Sequence, residues 1–71
     1  MNLDTYLDSA QLLDCNGQVS HTLTLLLDGT VRIQFSGREA IVDPRTRRNL
    51  TPQVPVHDTL MHAASTLAGG R

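Results

Sequence analysis

Lysine and tryptophan are missing from this chain altogether, and cysteine, tyrosine and phenylalanine occur once each. Large aromatic rings normally supply much of a small core's burial. With only Tyr6 and Phe35 available, the core has to be aliphatic, which leaves room for help from a partner or a second copy. A lone Cys15 excludes an internal disulfide and agrees with a reducing compartment. No segment approaches the ~18 consecutive apolar residues of a membrane span. The opening "MNLDTYLDSA" carries two Asp where a signal peptide carries positive charge, so a cytoplasmic location and no membrane partner are expected. The net charge is −1, with neither a polybasic tract nor an acidic tail, so electrostatics names no nucleic-acid or lipid target. At 71 residues the chain is expected to form a single small domain, burying only about 60% of its unfolded surface.

What the chain does have is punctuation. "NG" at Asn16-Gly17, "DG" at Asp28-Gly29, "SG" at Ser36-Gly37 and "DP" at Asp43-Pro44 divide it into short pieces. Turn signals at such spacing predict an antiparallel meander. The fold expected is α+β: three to four strands with a C-terminal helix packed on one face. The strands are placed at about 18–27, 30–35 and 38–43, and the helix at about 56–68.

The stretch "LLLDGTVRIQF" decides the first register. A two-residue loop at Asp28-Gly29 would set Leu25 against Arg32 and Leu23 against Gln34, mixing apolar and polar residues on both faces. A three-residue loop, Leu27-Asp28-Gly29, instead pairs Leu25 with Val31, Leu23 with Ile33 and His21 with Phe35. Gly29 then takes the left-handed position of a glycine bulge. One slip of register flips every side chain, so the three-residue loop is predicted. A two-residue Ser36-Gly37 loop carries the same face onward, Ile33 opposite Ala40 and Val31 opposite Val42. "DPRT" reads as a type I turn with Pro44 at its second position, and "RRNL" as a short further segment.

Toward the C-terminus, Val56, Leu60, Ala63, Ala64 and Leu67 form one apolar stripe at helical spacing. Pro55 suits the start of that helix and Gly69-Gly70 its end. The stripe is placed on the Leu23/Ile33/Val42 face. The N-terminal segment reads two ways. Leu3, Tyr6, Ala10 and Leu13 fit a helix, on which Asp4 and Asp8 would share a face, whereas "QLLDC" before "NG" reads as a hairpin strand with Leu12 opposite His21. A short helix or loop to about residue 8, then a strand from about Gln11, is expected.

Little catalytic or metal chemistry is legible. His57 and His62 are five apart and so fall on different helix faces. Together with Cys15 and His21 they match no zinc spacing, and Cys15 is expected to be buried or half-buried. Asp14, Cys15, Ser20 and His21 lie close in sequence, but neighbours in a strand point to opposite faces. No glycine-flanked nucleophile turn or phosphate-binding glycine loop occurs. A core this small also struggles to enclose the ~300 Å³ that ligand pockets usually need. No enzyme, no cofactor and no metal site are expected, and no residue set is diagnostic of a known family.

Surface features remain. Leu26 and Ile41, with Leu13 if it is in a strand, point away from the helix beside Thr24, Arg32 and Gln34, forming an exposed aliphatic group. "RTRR" concentrates Arg45, Arg47 and Arg48 in one turn, which could grip phosphates or anchor a protein interface. The function expected is a non-enzymatic protein–protein interaction module, an inhibitor or adaptor that binds a larger complex. Small phage or mobile-element proteins that block host defence, anti-CRISPR proteins among them, belong to that class. Leu26, Arg32, Ile41, Arg45, Arg47 and Arg48 are its candidate contact residues. A homodimer through the same sheet face, and a nucleic-acid-binding regulator using the arginine turn, are the alternatives.

Overall fold

The turn at Asp28-Gly29 organises a sheet in a computed structural model that describes residues 6–69, with side chains over 8–69. Five strands form one antiparallel sheet in chain order: β1 (Tyr6–Leu13), β2 (Val19–Leu26), β3 (Val31–Phe35), β4 (Arg38–Asp43) and β5 (Arg48–Asn49). The helix α1 (Asp58–Gly69) follows and packs on one face of the sheet. The protein is an α+β meander with a C-terminal helix.

Local hydrogen bonds fix both central registers. Leu26 N–H donates to the Thr30 carbonyl at 2.8 Å and Gly29 N–H to the Leu26 carbonyl at 3.0 Å, so the loop is Leu27-Asp28-Gly29. Gly29 has φ 91°, a conformation glycine adopts without a Cβ clash. Leu25 therefore faces Val31 and Leu23 faces Ile33, as the apolar match requires. Ser36 and Gly37 both have positive φ, 49° and 72°, the mark of a type I′ hairpin turn. They set Ile33 opposite Ala40 and Val31 opposite Val42. The buried cluster is aliphatic, with Leu23, Leu25, Val31, Ile33 and Val42 of the sheet against Leu60, Met61 and Ala64 of α1.

The structure departs from the sequence reading at three places. The sheet has five strands rather than three or four, because both the N-terminal segment, a strand from Tyr6 rather than from Gln11, and Arg48–Asn49 pair into it. β1 pairs with β2 along its length, Ala10 opposite Leu23 and Leu12 opposite His21, and that ladder overrides the helical spacing of Tyr6, Ala10 and Leu13. The readings of Leu3 and Asp4 lie outside the described residues. The helix begins at Asp58, not near Val56: Met61 N–H donates to His57 C=O at 3.1 Å, which makes His57 the N-cap. Val56 still packs on the core, but from the connection, and Met61 takes a buried place that the stripe had not included. Cys15, third, is exposed in the β1–β2 turn.

The proline-containing connection is held by one side chain. Asn49 Nδ2 donates to the Val54 carbonyl at 2.7 Å, and its Oδ1 accepts from Thr51 N–H at 2.9 Å. Beside it, Leu50 N–H donates to the Ile41 carbonyl at 2.8 Å and Ile41 N–H donates to Thr51 Oγ1 at 3.1 Å. β4 is thereby covered where β5 runs out.

Candidate functional site

With α1 on one face, the register lays out the other. Side chains alternate along each strand, so Ser9, Thr24, Arg32 and Ile41 form one cross-strand row on the helix-free face. Gln11, Thr22, Gln34 and Glu39 form the next. Arg32 is thus flanked directly by Thr24 and Ile41, with Leu26 two residues beyond Thr24 on the diagonal. Thr24 is buried on this face, whereas Leu26, Arg32 and Ile41 are half-buried. Arg32 Nε is buried and has no hydrogen-bond partner, an N–H donor withheld from water without compensation.

The structure gathers some of the candidate contact residues and scatters others. Leu26, Arg32 and Ile41 share the helix-free face. Arg48 stands opposite Asp43, at the margin of that face. Arg45 is drawn elsewhere: its Nε lies 3.4 Å from Asp43 Oδ1, and its guanidinium packs over Gly29, where an added Cβ would come within 3.3 Å of Cζ. Arg47 is exposed at the turn with φ 57°. Leu13 does not join the aliphatic group. It is 62% exposed and faces Val19 beyond a register shift, four residues along β1 from the Ser9 row.

Two turn carboxylates are tuned by their neighbours. The hydroxyl and then the amide of Thr30 hold the Asp28 carboxyl below its ordinary 3.8, with Arg45 adding to the effect. Desolvation raises the Asp43 carboxyl, but the Arg45 amide and guanidinium outweigh it and leave the group lowered. Arg45 therefore sits between two anions, which leaves the arginine turn less electropositive than its sequence suggests.

Ser20 and His21 meet, contrary to the alternation argument. Ser20 Oγ lies 2.9 Å from His21 Nδ1 and donates to the Leu12 carbonyl at 3.1 Å, next to the register shift between Leu12 and Leu13. The Ser20 oxygen and His21 Nδ1 share one hydrogen bond whose donor is set by the imidazole tautomer. The His21 ring also lies against Phe35, with centroids 5.0 Å apart and planes tilted by 37°. Among the described residues, no three His, Cys, Asp or Glu side chains come together as a metal site.

The surface holds larger hollows than the small core suggested, although they are grooves rather than enclosed cavities. One of about 390 Å³ lies between the β2–β3 and β4–β5 turns and the end of α1, lined by Leu25, Leu27, Pro44 and Ala68. Another, of about 420 Å³, runs between β1 and α1. Sequence reasoning missed this second groove because it read the start of β1 as a short helix or loop. No helix among the described residues is long and apolar enough to cross a membrane. Compared with known proteins, the chain matches no family model, no curated sequence and no solved structure.

Proposed function

We propose that this protein is a non-enzymatic protein–protein interaction module, an inhibitor or adaptor that docks on a larger protein through its helix-free sheet face. The observation that carries the reading is Arg32, whose Nε is buried yet unpaired in the middle of a row that ends on Ile41. An arginine ringed by aliphatic and hydroxyl side chains is the composition of an interface anchor. A partner that supplies a carboxylate or carbonyl to the guanidinium of the half-buried Arg32, drawing it out of the place where its Nε is shielded, covers Leu26 and Ile41 in the same step. Arg48 adds a charge at the rim, where it affects encounter more than affinity.

The test compares proteins captured from host lysate by the wild type with those captured by Arg32→Ala and Ile41→Asp, each capture run with and without nuclease. Each variant is first shown to be folded by circular dichroism. A protein retained by the wild type and lost with both variants supports the reading. Capture unchanged in both variants rejects this face as the site. If retention collapses only on adding nuclease, or only on replacing Arg45, Arg47 and Arg48, the chain is a nucleic-acid binder instead.

A further inference from the structure

The row that runs Ser9, Thr24, Arg32, Ile41 has one more member. β5 pairs Asn49 with Val42 and Arg48 with Asp43, so the next residue, Leu50, falls opposite Ile41. Its N–H donates to the Ile41 carbonyl at 2.8 Å, which carries the ladder one bond past β5. Alternation puts Leu50 on the same face as Arg48, two residues before it, and it is 51% exposed. Ile41 and Leu50 thus form a cross-strand aliphatic pair on the helix-free face, with Arg32 beside Ile41 on β3 and Arg48 beside Leu50 on β5.

The free charges next to this pair are of one sign. A carboxylate directly across from an arginine is placed to pair with it, and Asp43 stands across from Arg48. Asp43 is diverted, however: its Oδ1 accepts the Arg45 amide at 3.0 Å and lies 3.4 Å from Arg45 Nε. The guanidinium groups of Arg32 and Arg48 hold no ion pair or hydrogen bond among the described residues. Glu39, the other carboxylate on the outward face of β4, lies opposite Gln34, two residues from Ile41 on the side away from Arg48. With strands about 4.8 Å apart and residues about 3.3 Å apart along each, the Arg32 and Arg48 Cα atoms stand about 12 Å from one another. We propose that the partner surface received here is acidic: two carboxylates at about that separation, flanking an aliphatic centre that covers Ile41 and Leu50. The inference rests on the helix-free face being the docking site. Bidentate carboxylates suit both guanidinium groups, and the aliphatic centre buries the apolar area between them.

The probe is a synthetic helical peptide with two glutamates seven residues apart, about 10.5 Å along its axis, and leucines at the third and fourth positions after the first. It is titrated into the isotope-labelled full chain beside a version with glutamine for glutamate and a scrambled version of the same composition. The Ile41 and Leu50 methyls and the Arg32 and Arg48 Nε–H signals should shift with the glutamate peptide. The glutamine version should bind about tenfold or more weakly. Arg48→Glu, which sets like charges together, and Leu50→Ser change exposed positions and should each weaken binding to a similar degree in a folded chain. The proposal is overturned if these signals stay in place at millimolar peptide, if either control binds as well, or if a folded Arg48→Glu binds like the wild type. It is equally overturned if a DNA duplex moves the same signals at lower concentration, with the steep salt dependence of phosphate contacts. Lysate capture separates this inference from the reading beneath it. A protein lost with Arg32→Ala and Ile41→Asp but kept by Arg48→Glu and Leu50→Ser overturns the acidic partner alone. Capture unchanged by all four variants overturns the docking face with it.

Discussion

The Thr30 hydroxyl donates to Asp28 Oδ1 across 2.6 Å, and the Thr30 amide donates to the same oxygen at 3.0 Å. One carboxylate oxygen therefore satisfies two donors of a buried residue and ties the turn that sets the β2–β3 register. Asp43 repeats the device at the other turn of the same end, accepting the Arg45 amide at 3.0 Å.

Both carboxyls are held below their ordinary 3.8, which gives stability a definite pH dependence. A depressed folded-state value means the unfolded chain takes up the proton first as pH falls. The stabilisation is thus complete above about pH 5 and drains away as pH drops through the lowered values. Amide shifts of Thr30 and Arg45, followed by NMR, should titrate with midpoints under 3.8. Midpoints at or above that value would remove the hydrogen-bonding account.

Gly29 is the residue on which this hairpin turns. Replacing it by alanine imposes a side chain at φ 91° and should lower stability by about 1–2 kcal/mol. Chemical denaturation measures the loss. An unchanged midpoint would mean that the loop relaxes to another turn type.

Core and surface positions on β3 should separate cleanly. Ile33 is fully buried, so Ile33→Ala should cost about 3 kcal/mol. Its neighbour Gln34 is exposed on the opposite face, and Gln34→Ala should stay within about 0.5 kcal/mol of the wild type. Equal losses at the two positions would contradict the assigned faces.

Two positions invite stabilisation. Ser36 holds φ 49°, where asparagine is better suited, and Ser36→Asn should add about 0.5 kcal/mol. His57 caps α1 with its carbonyl, and Ser at that position can also reach a free helix N–H, so His57→Ser should add about 0.5–1 kcal/mol. Thermal melts of the two single variants and the double variant check both gains and their additivity.

The parts of this fold written in short-range patterns were legible. Leu23, Leu25, Val31 and Ile33 admit one register that keeps a face apolar, and Gly29 and Ser36-Gly37 supply the turns that register needs. What escaped reading depends on distant partners. Tyr6, Ala10 and Leu13 carry helical spacing, and only pairing with β2 makes that segment a strand. Val56 fits the helical stripe by spacing yet lies in the connection, since His57 is what the first helical turn closes on. The contact of Ser20 with His21 arises from a local irregularity in the ladder, which alternation cannot foresee. Leu26, Arg32 and Ile41 were placed on one face by alternation alone. The unpaired state of Arg32 Nε needed the packed side chains to be seen.

The two margins of the sheet are unlike. On one, β5 is two residues long, carries Arg48, and gives way to a segment whose Thr51 hydroxyl already occupies the Ile41 amide. On the other, β1 runs for eight residues. Short, charged and capped margins resist recruitment of further strands. Among the described residues, the β5 margin therefore leaves a further strand no free stretch to pair with. A copy of this chain arriving at that margin finds the place already taken.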